Sequence, residues 1–149
     1  MVISNFKPHF VKKIVFFFSF VICFSCHKDK ISNENPYLPN YGFSMDVNKA
    51  LPTFSDLQFA SKGVRVYPPN GPTKGVIVFN TGSGYNAYDG GCPNESLTTC
   101  STLSISGINA ICQCDNSIYN LFTGQCPGKT YSMKVYRTEV IGDIIRVSN

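Results

Sequence analysis

The sequence predicts an all-β domain, and three observations carry that expectation. Beyond position 41 the apolar residues fall in short runs bounded by Gly, Pro, Asn and Asp. No window of eleven or more residues there holds an apolar stripe of helical period free of Pro and Gly. The chain also closes on Glu139-Val140-Ile141 and Ile144-Ile145-Arg146-Val147 around Gly142-Asp143, a two-residue turn whose first position needs positive φ. About 110 residues of short strands without an internal repeat imply a small antiparallel barrel or sandwich.

The elements follow in order along the 149-residue chain. Residues 1–25 hold seven of the twelve Phe, the three lysines Lys7, Lys12 and Lys13, and no acid. The basic stretch ends at Lys12-Lys13 and is followed by the eleven uncharged residues Ile14 to Phe24, the layout of a signal peptide. An eleven-residue helix would cover only about half of a ~30 Å hydrocarbon core, so a cleaved leader is expected rather than a permanent span. Residues 27–40 are polar, with Pro36 and Pro39 and no apolar period, and are expected to be a tether. Strands are then expected at 43–47, 64–67, 76–80, 86–89, 103–106, 109–112, 131–136, 139–141 and 144–147. The punctuation between them is Pro68-Pro69-Asn70-Gly71-Pro72, Gly82-Ser83-Gly84, Asp89-Gly90-Gly91 and Ser106-Gly107.

Cys23-Phe24-Ser25-Cys26 resembles a bacterial lipoprotein box, in which the last cysteine is lipidated and becomes the mature N-terminus. His27-Lys28-Asp29-Lys30 resembles the Lys/Asp-rich tag that follows that cysteine in surface-exposed lipoproteins of one group of Gram-negative bacteria. These resemblances imply an exported outer-membrane lipoprotein anchored at Cys26, with either side of that membrane open as its station. The domain plan is therefore a leader at 1–25, anchor and tether at 26–40, and one β domain at 41–149.

Charge narrows the partners. The whole chain carries 13 basic and 9 acidic residues, but without the leader the balance is 10 to 9. The remaining Lys and Arg are scattered singly, and a nucleic-acid partner is not expected. The membrane is expected as a partner only through the lipid.

Cys92, Cys100, Cys112, Cys114 and Cys126 fall within 35 residues, a density that calls for disulfides, a metal or both. Export makes disulfides permissible. The only histidines, His9 and His27, precede the domain, which excludes Ser-His-Asp, Cys-His and His-containing zinc sites within it.

Tyr88-Asp89-Gly90-Gly91-Cys92-Pro93-Asn94 and Cys112-Gln113-Cys114-Asp115-Asn116-Ser117-Ile118-Tyr119 resemble the two ligand loops of a Rieske iron-sulfur domain. Cys100, then Gln125-Cys126-Pro127-Gly128, then the closing strands follow in the family's order, and 17 residues separate Asn94 from Cys112 as its spacing requires. The strand pair 75–89 resembles the lead into the first loop, so the likeness spans roughly 43–147. It implies a small β barrel or sandwich with a two-loop, cysteine-rich subdomain, and electron transfer through a [2Fe-2S] cluster alongside a redox partner.

The departures bear on that cofactor. A Rieske centre holds one iron by two Cys and the other by two His. Cys92 and Cys112 stand at the Cys positions, while Asn94 and Asp115 stand where the His should be. An Asn amide is a poor iron ligand and an Asp carboxylate a hard, anionic one. By the resemblance, thiols that would meet on one iron lie close enough for Cys92 to bond Cys112, and Cys100 and Cys114 correspond to a pair that some Rieske domains bridge. Cys126 is left over. Three readings stay open: a disulfide-stapled domain without a cluster, an iron-sulfur centre with altered or all-Cys ligands, and zinc or an unrelated arrangement.

Other signals are discounted. Gly82-Ser83-Gly84 lacks the Lys-Ser/Thr of a phosphate loop and is expected to be a turn. Asn94-Glu95-Ser96 fits a glycosylation sequon only in a eukaryotic secretory route. Asp89, Glu95 and Asp115 could be a glycosidase-type carboxylate set, and Tyr119 and Phe122 are expected beneath the second loop as core aromatics. The expected function is a non-enzymatic envelope lipoprotein with a binding or structural role and no cofactor. The alternative is a ferredoxin-like electron-transfer component, with Cys92 and Cys112 on one iron and Asp115 contributing to the other.

Overall fold

The computed structural model describes residues 34–149. The leader, Cys26 and the first half of the tether lie outside the described residues. The all-β expectation is met: the described residues form nine strands and a single 3-10 helix. The strands are β1 (Ser44–Asn48), β2 (Gly63–Val66), β3 (Val76–Asn80), β4 (Tyr85–Asp89), β5 (Leu103–Ser106), β6 (Asn109–Cys112), β7 (Ile118–Asn120), β8 (Val135–Ile141) and β9 (Ile144–Ser148). A six-stranded sheet runs β1-β9-β8-β4-β3-β2, and β5-β6-β7 form a second, three-stranded sheet. Every pairing is antiparallel.

β3 organises the core. Its five residues, VIVFN, are buried without exception. Because side chains alternate across a strand, Val76 and Val78 point into one cluster, while Ile77 and Phe79 point into another. β4 divides likewise, with Ala87 in the first cluster and Tyr88 in the second. The first cluster joins Val66 of β2 to Val47 of β1 and to Ile145 and Val147 of β9, strands from opposite ends of the sheet order. The six-stranded sheet therefore curls around its own core. The second cluster lies on the other face and adds Leu103, Ala110, Tyr119 and both Cys92 and Cys112. It is the floor on which the cysteine loops sit.

The closing hairpin has the register expected, with Ile141 opposite Ile144 and Gly142 at φ 61°. The Gly82-Ser83-Gly84 segment is the β3–β4 turn, closed by the Thr81 N–H donating to Gly84 O at 2.9 Å.

Two expectations are corrected. No strand starts at Tyr131; β8 begins at Val135 and runs unbroken to Ile141. The backbone before it is held by loops instead, with the Tyr131 N–H donating to Asn94 Oδ1 and the Met133 N–H to Gly124 O. The segment 35–40, assigned by composition to the tether, is docked on the domain, with Leu38 at 2% exposure. Two elements carry no sequence signal. β7 is three residues long, too short for a period. The 3-10 helix Pro52–Gln58 buries only Leu57, whose carbonyl accepts Asn80 Nδ2 and the Tyr85 hydroxyl.

Since Phe79 is wholly buried in the cluster beneath the loops, Phe79→Ala is expected to cost about 3–5 kcal/mol in guanidinium denaturation. Glu139→Ala, on the exposed face of β8, should stay within about 0.5 kcal/mol. Equal effects would refute the placement of the core.

Candidate functional site

The site is built from three loops. The first, residues 90–102, joins β4 to β5; the second, 113–117, joins β6 to β7; the third, 121–134, leads from β7 to β8. Few of their backbone groups enter a sheet, so they bond to one another. The Cys92 N–H donates to Ser101 O, and the Gln113 N–H of the second loop to Thr102 O of the first. Within the second loop the Cys112 N–H donates to Ser117 O at 2.9 Å and the Asn116 N–H to Cys112 O. Asn116 takes φ 59°, a left-handed turn conformation that Asn tolerates better than most residues.

Cys92 and Cys112 are paired at disulfide distance, with their Cα atoms 5.6 Å apart, and Cys100 and Cys114 likewise at 4.9 Å. Each cysteine of the second loop thus reaches the first. The two pairs differ in environment: Cys92 and Cys112 are 0% and 1% exposed, whereas Cys100 is exposed and Cys114 half-buried. Closing loops of these lengths would stabilise the domain by about 3 kcal/mol each in the chain-entropy argument. Cys126 is half-buried and free.

Asn94, where the resemblance implies a histidine, is spent on the scaffold. Its Nδ2 donates to Tyr131 O at 2.7 Å and to the Tyr119 hydroxyl at 2.9 Å, and its Oδ1 accepts the Tyr131 N–H at 2.9 Å. Both donors of the amide and its oxygen are engaged. The side chain pairs with the Tyr131 backbone as a strand neighbour would, and it staples the third loop to the first. Burial raises the pKa of Tyr119, with the bond from Asn94 opposing it. The phenol therefore remains protonated.

Asp115, where the resemblance implies the other histidine, is an ion-pair partner. Its Oδ2 lies 2.6 Å from Lys129 Nζ and accepts the Ser117 hydroxyl, while Oδ1 accepts the Ser117 N–H at 3.0 Å. Partial burial acts to raise its pKa, but the Lys129 and Ser117 contacts outweigh that and hold it at about 2. Lys129 also lines a cavity of about 320 Å³ in the third loop, with Gln125, Cys126, Pro127, Thr130 and Ser132.

The carboxylates considered for glycosidase chemistry serve different partners. Asp89 is 2% exposed and accepts the Tyr136 hydroxyl at 2.7 Å and the Gly91 N–H at 2.8 Å, far in role from the ion pair of Asp115. Of the two aromatics expected in the core, Tyr119 is buried. Phe122 is 40% exposed and rests edge-on against Phe79 at 5.0 Å. The tyrosine and lysine partners, Tyr131 and Lys129, are functional in this scaffold and were not apparent in the sequence, since nothing in a lone Tyr or Lys marks the loop it will face.

The donor set does not fit a [2Fe-2S] cluster. The two thiols at the Cys positions face each other, the Asn94 oxygen faces a backbone N–H, and the Asp115 carboxylate is neutralised by Lys129. Among the described residues no three His, Cys, Asp or Glu side chains converge as a metal site.

No family model matches the chain, and no curated protein matches it. Solved structures with a similar backbone include the Sphingomonas yanoikuyae B1 ferredoxin, at 15% identity and TM-score 0.45 over 61% of this chain and 88% of that one. A second is the complex of reduced oxygenase and oxidized ferredoxin in carbazole 1,9a-dioxygenase, at 16% and 0.47 over 76% of this chain and 94% of that one. A third is the ferredoxin of carbazole 1,9a-dioxygenase from Nocardioides aromaticivorans IC177, at 14% and 0.43 over 60% and 86%.

The folded pKa of Asp115 lies below its unfolded value. Its contribution to loop stability is therefore complete above about pH 4 and is lost as pH falls toward 2. Carboxyl-detected NMR should show Asp115 titrating near 2, and Lys129→Met should move that midpoint upward toward about 4. An unmoved midpoint would mean that Lys129 does not hold the loop.

Proposed function

We propose that the chain is an exported, lipid-anchored lipoprotein whose β domain is a Rieske-like fold without a cluster, serving a binding or structural role in the cell envelope. The observation that carries this reading is the use made of Asn94: at the first histidine position stands an amide fully engaged as a clamp between two loops. Asp115 at the other position is matched to Lys129 in the same spirit. Two cysteine pairs then do mechanically what ligation does in an iron-bearing relative, holding two loops face to face. A side chain committed to scaffold bonds cannot also supply the second iron. In this reading the domain is non-enzymatic, a near-neutral surface carried on a membrane tether.

The anchor follows from Cys26 and the Lys-Asp-rich residues after it. It would hold the domain at the outer membrane and leave its loops free to meet an envelope partner.

Two measurements test the reading. Purified in detergent with and without oxygen, the full chain is expected to contain far less than one iron per molecule and no charge-transfer absorption. Mass mapping should find Cys92, Cys100, Cys112 and Cys114 protected and Cys126 alkylated. Stoichiometric iron with a visible spectrum would replace this reading with electron transfer through altered ligands. For the anchor, Cys26→Ser is expected to move the protein from the membrane to the soluble fraction, and retention in the membrane would refute lipidation.

A further inference from the structure

Residues 35–40 grip the candidate site. Asn35 and Leu38 bridge to each other, and the Tyr37 N–H donates to Asn35 Oδ1 at 2.8 Å, so the segment has a defined bend. Leu38 packs directly over Gly91, where a Cβ would lie 2.7 Å from Leu38 Cδ2. A side chain at 91 would have to displace that methyl. Asn35 Nδ2 donates to Pro93 O at 2.8 Å. The two residues flanking Cys92, Gly91 and Pro93, are thus both held by the same short segment. Tyr37 meets the Tyr131 ring edge-on at 5.9 Å, over the backbone that Asn94 clamps.

The far end is fixed by Lys134, 2% exposed, which donates to Leu38 O at 3.1 Å, Pro39 O at 2.7 Å and Asn40 Oδ1 at 2.6 Å. An ammonium has three N–H donors, and three oxygens of this segment meet it.

We propose that residues 35–40 are a strap that guards the Cys92–Cys112 disulfide against thiol reductants and leaves the Cys100–Cys114 disulfide open to them. The proposal rests on the reading of both pairs as disulfides. The step it governs is exchange with a dithiol. One thiolate of the reductant attacks a sulfur of the pair, forming a mixed disulfide and releasing the other cysteine as a thiolate. The second thiol of the reductant then closes its own ring and frees the remaining cysteine, so two electrons pass to the protein and the reductant leaves oxidised. Such attack needs an in-line path to sulfur, and Leu38 and Asn35 fix the backbone on either side of Cys92, holding its sulfur in the second core cluster. Release of the strap converts a structural bond into a reducible one.

The test uses the full chain in detergent and its Asn35→Ala/Leu38→Ser and Lys134→Met variants, treated with dithiothreitol, quenched with iodoacetamide and mapped by peptide mass spectrometry. In the unmodified chain Cys100–Cys114 is expected to reduce at least ~10-fold faster than Cys92–Cys112. In both variants Cys92–Cys112 should accelerate at least ~10-fold while Cys100–Cys114 keeps its rate. Hydrogen exchange at 35–40 reports whether the strap has come off. An unchanged Cys92–Cys112 rate with the strap released overturns the proposal. So does equal acceleration of both pairs, which is the signature of general unfolding. Should one variant fail to fold, the other carries the comparison. Alkylation of Cys92 and Cys112 before any reductant would overturn the disulfide reading beneath it, and that result is distinct from the other two.

Discussion

Loops without regular structure must satisfy their backbone groups through partners set at fixed distances, and in this domain those distances are set by the pairing of Cys92 with Cys112. Cys92 enters the first loop just after β4, and Cys112 ends β6; both sit in the second core cluster beside Leu103, Ala110 and Tyr119. Joining them brings the Gln113 N–H to Thr102 O. It also places Asn94 within reach of Tyr119 and Tyr131. The link is buried where water cannot compete. Around it, hydrogen bonds worth about 1 kcal/mol net each can act together because their geometry is already in place.

The chemistry of Asn94 and Asp115 is consistent with that mechanical role. A loop pair that holds iron needs its donor atoms unpaired and aimed at one point. Here the donors turn outward from such a point, toward backbone and counter-ion: Asn94 toward the third loop and Asp115 toward Lys129 in the same loop. Both contacts tie the third loop to the other two, so the side chains strengthen one connection from two directions. The amide does so without charge and the carboxylate with it.

Much of this was legible in the sequence, and the reasons differ by element. β3 and the closing hairpin announce themselves through composition, since VIVF buried on both faces and Gly142-Asp143 between apolar runs are local signals. The cysteine loops were legible because their residue types and spacing carry chemistry that few other arrangements share. What failed was non-local. Whether Tyr131 to Lys134 forms a strand depends on Asn94, 37 residues away along the chain from Tyr131, which takes the bonds a neighbouring strand would have taken. The polar, Pro-containing segment 35–40 looked free because its partners, Gly91, Pro93 and Lys134, lie more than 50 residues beyond it. Composition describes what a segment can leave in water. It does not describe what a distant ammonium can hold.

That ammonium links the strap to the rest of the domain. Lys134 lies just before β8, opposite the end of β4, where the Asp89 N–H donates to Lys134 O at 2.9 Å. Burial raises the pKa of Asp89, opposed by Tyr136, the Gly91 N–H, Lys134 and Arg65. Burial likewise lowers that of Lys134, opposed by Asp89. Each charge tempers the cost of burying the other, and each is also bound to a neighbouring segment: Asp89 to Gly91 of the first loop, Lys134 to the strap. A buried charge that loses its hydrogen-bond partners costs far more than an exposed one. Withdrawing strap oxygens from Lys134 therefore acts on Asp89 and, through the Gly91 N–H, on the residue next to Cys92. A run of hydrogen bonds joins the strap to Lys134, Lys134 to Asp89 and Asp89 to Gly91, the route by which the proposed strap acts on the bond at Cys92.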